Sequence, residues 1–257
     1  MISLPLPALA ALVIGGAVVF AAAGVVAVDK LISRRLEASG AHGSIFSAAA
    51  TMFAVFTAFL VVIVYQRYAG AQENVRDESS QVATLYRQTV DMPSVEQTRM
   101  RSLLRQYTDV VINEEFVTQE RGKASHEARK EFDDIYRTYN NLSPAVRASP
   151  INQQFVSQLS LMGNDRNKRQ LSSEEALPSV MWAGLMLGGL AIISMSFLLN
   201  IEPVGAHICL SGALAGLIGL LLVVALVLNH PFRGQLAIHP AAFQHSLGVF
   251  DSVDKGG

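Results

Sequence analysis

The groups in this sequence that could ligate a metal or move a proton are six histidines, one cysteine and 21 carboxylates. Their spacing suits neither task. A haem held inside a membrane helix bundle needs histidines that face one another. Only His207 lies near the interior of an apolar run, at its start, and His230 follows about 35 Å further along a helix at 1.5 Å per residue. They cannot share an iron. His239 and His245 come later still, with no HxxxH or ExxH pairing. His207 is therefore expected to be an interfacial or hydrogen-bonded histidine. Cys209, as the one cysteine, excludes an intramolecular disulfide framework and a CxxC metal site. Its apolar neighbours predict an inert packing residue. Glu114–Glu115 and Asp133–Asp134 are adjacent pairs, about 100° apart on a helix, and are expected on solvated faces. No GxSxG elbow, HExxH pair or P-loop occurs. The residues thus predict no catalytic site, no bound metal and no cofactor.

The elements that carry these residues are legible in the charge distribution. The chain has 257 residues, 51% hydrophobic and 16% charged, against roughly 25% charged in an ordinary globular domain. Residues 66–176 hold 31 of the 41 charged side chains, 15 basic and 16 acidic. Such a division fits a membrane protein with one aqueous segment. A net charge of −1 argues against a nucleic-acid binder, which would need a basic face.

Four apolar stretches, near 8–28, 45–65, 178–199 and 207–228, are long enough to cross a hydrocarbon core, which takes about 20 helical residues. The first lacks a cationic leader segment and exceeds the usual signal-peptide core, so it reads as a retained anchor. Lys30, Arg34 and Arg35 follow it, while no basic residue precedes it. The positive-inside rule then puts this loop in the cytoplasm and the N-terminus, residues 66–176 and the C-terminus outside.

The aqueous segment carries helical periodicity throughout. Val75, Val82, Leu85, Tyr86 and Val90 extend the second span as one rod to about Val90. Ser94-Val-Glu-Gln97 predicts a capping box for the next helix, with Met100, Leu103, Leu104, Tyr107, Val110 and Val111 on its apolar side. Phe132, Ile135, Tyr136 and Tyr139 mark a third helix. Ser149-Pro150 opens a fourth that contains Ile151, Phe155, Leu159 and Met162. Four such helices can close a bundle. After Asn229-His-Pro-Phe-Arg-Gly234, the residues Phe243, Leu247 and Phe250 predict a short amphipathic helix at the membrane surface or against the bundle.

Within the spans, Gly184 and Gly188, and Gly212 and Gly216, form two GxxxG pairs that permit close helix contact. Ser47, Thr51, Ala54 and Ala58 make a small, weakly polar stripe on the second span, either a packing seam or a pore-lining face. Arg67, Glu73 and Glu78 are the charges that would stand at the mouth of such a pore. No span carries an ionisable residue at mid-depth, which disfavours a proton-coupled transporter.

Span two running into Gln66-Arg67-Tyr68-Ala-Gly-Ala-Gln72-Glu73-Asn-Val75-Arg-Asp-Glu78 and Leu85-Tyr86-Arg87 is one element of a recognisable pattern. Leu177-Pro178 opening span three and Pro231-Phe232-x-Gly234 closing span four are the others. Together they resemble the bestrophin-like family of small bacterial membrane proteins, over almost the whole chain. Asn229 stands where that family often has the acid of Asp-x-Pro-Phe. The resemblance implies kinship with bestrophins, which are oligomeric anion channels, and brings no catalytic residues with it.

The resulting expectation is an all-α integral membrane protein of the bacterial inner membrane. Its four transmembrane helices form two hairpins, 1–65 and 177–230, with a helical extramembrane domain at 66–176 and a tail at 231–257. Its partners would be the bilayer, further copies of itself and small ions. The leading function is an oligomeric ion channel; the alternative is a non-conducting scaffold or sensor whose exposed helices bind a partner or ligand.

Overall fold

The computed structural model describes residues 5–31, 40–121, 125–174, 177–199 and 201–256, with side chains of 40–42 left aside. Among them every regular element is helical. Part of the basic loop, with Arg34 and Arg35, lies outside the described residues.

The chain divides into two compact units, 1–67 with 176–230, and 68–175 with 231–257. The first unit holds four helices long and apolar enough to cross a membrane: α1 (Leu6–Leu31), the first part of α2 (Gly40–Gln88), α8 (Ser179–Ser196) and α9 (Val204–Leu228). Expecting each span to pair with its neighbour in sequence leaves out the main packing, because α1 lies along α9, the first span against the last. Glycine on α9 makes this approach feasible. A Cβ at Gly219 would stand 3.1 Å from the Ile14 Cα, whereas Gly212 and Gly216 meet only the Val18 and Ile14 side chains at 3.6 Å or more. Gly219 is thus the tightest of the three glycines against α1, about one turn beyond the GxxxG pair. The other pair serves aromatic rings. A Cβ at Gly188 would fall 2.8 Å from the Phe53 ring, and one at Gly184 would lie 3.2 Å from Phe56, both on α2.

The second unit begins within α2 at Tyr68. Helix α2 continues unbroken to Gln88 and tightens into a 3-10 turn, Thr89–Asp91. Pro93 ends it by forcing Met92 into extended conformation, ψ 147°. Helix α3 (Ser94–Val110) follows directly. The expected capping box does not form: Pro93 occupies the cap position without a side-chain hydrogen bond. Gln97 instead reaches back to donate to the Thr89 carbonyl, at 3.2 Å. A π-helical segment (Val111–Glu115) leads into α4 (Phe116–Glu120). Then come α5 (His126–Asn140), α6 (Pro144–Arg147) and α7 (Pro150–Glu174). Ser125 and Ser143 cap α5 and α6 through their hydroxyls.

Helix α10 (Ala241–Gly256) packs against this bundle. Phe243 and Phe250 are fully buried, each contributing about 1.5–3 kcal/mol of apolar transfer. Phe250 stacks on Tyr86 of α2 at 4.1 Å between ring centroids. Ser246 hydrogen-bonds Ser79 at 2.7 Å. At the helix end Asp254 accepts from Arg101, Arg105 and the Tyr86 hydroxyl at 2.7–2.9 Å. The two arginines and the tyrosine hydroxyl hold Asp254 below the usual carboxylate range although burial opposes them.

Candidate functional site

Helix α2 carries the residues that the sequence singled out, and its faces differ sharply. At 100° per residue, Phe46, Phe53, Thr57, Leu60 and Val64 share one side, and Thr57, Leu60 and Val64 are buried in the first unit. Ser47, Thr51, Ala54 and Ala58 lie on an adjoining side and are all exposed. The Thr51 hydroxyl donates to its own helix, to the Ser47 carbonyl at 2.8 Å, so its oxygen faces outward as an acceptor. Beside this small stripe runs a bulky one, with Met52, Val55, Phe59 and Val62 exposed by half or more.

Beyond the span, Arg67 and Glu73 are exposed. Glu78 is not a mouth group. Its side chain is fully enclosed in the core of the second unit, where it belongs to a charged cluster that sequence reasoning missed. The Arg169 guanidinium donates to both Glu78 oxygens, Nε to Oε2 at 2.6 Å and Nη2 to Oε1 at 2.9 Å. Nη2 also donates to Glu115 Oε2 at 2.7 Å. Arg166 and Gln170 donate to Glu115 Oε1 at 2.7 and 2.9 Å. The Tyr107 hydroxyl closes the set at 2.5 Å from Glu78 Oε1. The Phe116 and Phe243 rings lie 5.5 and 5.9 Å from the Arg169 guanidinium carbon, near enough for a cation–π attraction.

Four elements converge here, with Tyr107 supplied by α3. Glu78 comes from α2, Glu115 from the π-helical segment, and Arg166 and Arg169 from α7. The π turn advances the helix register by a residue, and Glu115, Phe116 and Gln119 all finish buried. Glu115 therefore corrects the expectation of a solvated carboxylate pair; Glu114 alone is exposed.

Two acids face two guanidinium groups, so the cluster is electrically balanced. Burial pushes the Glu115 carboxyl upward, but Arg169 and Arg166 outweigh it and the net shift is downward. Burial and then the Glu78 charge push the Tyr107 hydroxyl well above its ordinary range. Burial opposes the Arg169 charge, yet Glu78 and Glu115 raise its pKa further. These shifts favour a charged Glu115, a protonated Tyr107 and a charged Arg169 near neutral pH, and the hydrogen bonds make the cluster a lock between helices. Arg169 Nη1, Arg166 Nε and both amide atoms of Gln119 are buried without a protein partner, which fits enclosed water.

In the first unit, His207 is buried and its Nε2 lies 2.9 Å from the Ser196 carbonyl, joining α9 to α8. Cys209 is exposed, not enclosed in packing. Asn229 Oδ1 accepts from the Leu177 amide at 2.9 Å, so the Leu177-Pro178 and Asn229-x-Pro231-Phe232 motifs meet. Among the described residues no group of three His, Cys, Asp or Glu is placed to hold a metal ion.

A family model described as the bestrophin-like domain matches residues 15–243, and the chain belongs to that family. The fold recurs in a bestrophin homologue from Klebsiella pneumoniae, with TM-score 0.75 and 13% identity over 95% of this chain and 97% of that one. A tryptophan-to-alanine variant of that homologue has TM-score 0.76 and 12% identity, covering 96% and 97%. A proline-to-alanine variant of a membrane protein has TM-score 0.74 and 13% identity, over 96% and 97%. At these identities the likeness concerns the fold. No curated protein matches the chain in sequence.

Proposed function

We propose that the chain is a subunit of a homo-oligomeric pore for small ions in the bacterial inner membrane. Membership of the bestrophin-like family supports this. The observation that carries it is the exposed face of α2, where Ser47, Thr51, Ala54 and Ala58 lie uncovered beside a bulky apolar strip. Bulky side chains suit lipid. A narrow strip of small and hydroxyl side chains suits an axis shared by identical helices, where such rings pass partly hydrated ions or gate by dewetting. The N-terminus, residues 66–176 and the C-terminus lie outside the cytoplasm in this reading, on the strength of Lys30, Arg34 and Arg35 between the first two spans. The family membership and the absent motifs point to conduction, not catalysis.

Purified protein in liposomes tests the pore. Ala54→Phe should block chloride or potassium flux, whereas Met52→Phe, on the bulky strip, should leave it intact. Unchanged flux in the Ala54 variant moves the pore to another span. The same small strip would also suit a tight seam between copies with no water path. That second reading is a scaffold or sensor whose exposed helices bind a partner or ligand, for instance on the exposed face of α3 at Ser94, Val95, Thr98 and Ser102. Wild-type protein that passes neither ion at any tested pH, calcium concentration or voltage would establish it over the pore.

A further inference from the structure

We infer that Arg76 sets the charge preference of the pore, as a ring of guanidinium groups that favours anions; this rests on the reading of α2 as the lining helix. From Ala58 to Arg76 is 18 residues, five α-helical turns, so the two side chains leave the helix in the same direction, about 27 Å apart. Thr51, Ala69 and Arg87 stand in the same relation. Helix α2 is unbroken from Gly40 to Gln88, so the register carries through. The face that is small and uncharged in the span thus continues into one bearing two arginines.

Both arginines are exposed, and among the described residues neither meets a carboxylate at ion-pair distance. The acids of the same stretch lie to one side of this face or away from it. Glu78 is buried and held by Arg169. Glu73 and Asp77 sit about 60° and 100° round the helix from Arg76, both to the same side. There they add to the rise in the pKa of Lys168 on α7, which Asp165 chiefly causes through its hydrogen bond, without an ion pair of their own among the described residues. Arg67, a third exposed arginine of α2, precedes Arg76 by nine residues and points about 180° away from it. Register, exposure and pairing therefore select Arg76 and Arg87 over Arg67, and Arg76 is the nearer of the two to the span, by about three helical turns. Repeated round an axis, its charge would attract anions and repel cations, and the effect would weaken with salt as the Debye length falls from about 10 Å at 0.1 M.

The test is the reversal potential of the full-length protein in planar bilayers under a tenfold potassium chloride gradient. Wild type should reverse on the chloride side. Arg76→Gln should move the reversal toward zero, and Arg76→Glu should carry it across zero, a change of tenfold or more in the chloride-to-potassium permeability ratio. Arg76→Lys, which keeps the charge, and Arg67→Gln, on the opposite face, should both reverse as wild type does. An unchanged reversal in Arg76→Glu, or an equal shift in Arg67→Gln, overturns the assignment and leaves the pore standing. Absence of any wild-type current removes the pore reading, and this inference with it.

Discussion

Replacing Arg169 with methionine removes three hydrogen bonds, two to Glu78 and one to Glu115. Afterwards Glu78 keeps only the Tyr107 hydroxyl, while Glu115 keeps Arg166 and Gln170. The core is left with one uncompensated negative charge. Breaking a buried pair from one side costs about 3–5 kcal/mol, a large share of the roughly 5–15 kcal/mol that holds a domain together. Hydrogen exchange of the full-length protein in detergent reads this element by element. A loss of about 4 kcal/mol accelerates exchange of the protected α3 and α7 amides about a thousandfold where exchange follows local opening. Adding Glu78→Gln to Arg169→Met restores the balance of Glu115 against Arg166, and Tyr107 can donate to the new amide oxygen. The double variant should exchange more slowly than the single one by at least tenfold. Acid supplies a second reading. Because the Glu115 pKa is lowered on folding, its contribution is complete above the ordinary value of 4.5 and is lost as pH falls through the folded value. Without Arg169, the cation that does most to hold it down, burial raises the folded pKa toward or above the ordinary one, so this acid-induced loss should shrink or vanish in the variant. Less than tenfold acceleration in Arg169→Met, or a double variant less protected than the single, would refute the lock.

Asn229→Asp should preserve thermal stability in detergent, because either side chain offers an oxygen to the Leu177 amide, whereas Asn229→Leu strands that buried donor and should cost about 1–3 kcal/mol; equal melting temperatures for Leu and Asn would remove the motif contact from the account. The outward orientation predicts that, with Cys209→Ser as background, a cysteine at exposed Ser102 reacts with an impermeant maleimide on intact cells and one at Ser33 does not. The reverse pattern inverts the topology.

The four apolar helices and the long α2 were legible because each is written locally: about 20 apolar residues need only themselves to satisfy their backbone in lipid. The α2 rod is legible for the same reason, since Gly70, the one helix-weakening residue near the exit from the span, costs about 1 kcal/mol relative to alanine. Pairing of spans was not legible. Gly212 and Gly216 mark a face of α9 without naming its partner, and the tightest of the three glycines against α1 is Gly219, which stands outside the GxxxG spacing. Glu115 went unread for another reason. Adjacent carboxylates resemble a solvated face, and the π-helical turn that carries Glu115 inward leaves no composition signal.

Part of the charged cluster does have a signature, and it lies in complementary interruptions of apolar stripes. On α2 the buried series Val75, Val82 and Leu85 passes through Glu78; on α7 the series Phe155, Leu159 and Met162 passes into Arg166 and Arg169; Leu104 and Tyr107 on α3 and Val111 in the π-helical segment lead to Glu115. A lone ion on a core face argues against that face being buried, because desolvating it costs several kcal/mol. Two acids and two guanidinium groups, each in core register on helices that must meet, argue the opposite: every one requires the others, so the bundle can close only in the arrangement that pairs them. Apolar contacts would tolerate a slip of α7 along α2, since one leucine replaces another at small cost. A slip of one turn, about 5.4 Å, would carry Arg169 from Glu78 toward Val75 or Val82, and even with Arg166 in its place the two guanidinium groups could no longer serve both acids as they do. The buried ions thus specify the register of α7 on the same helix whose other face carries Arg76.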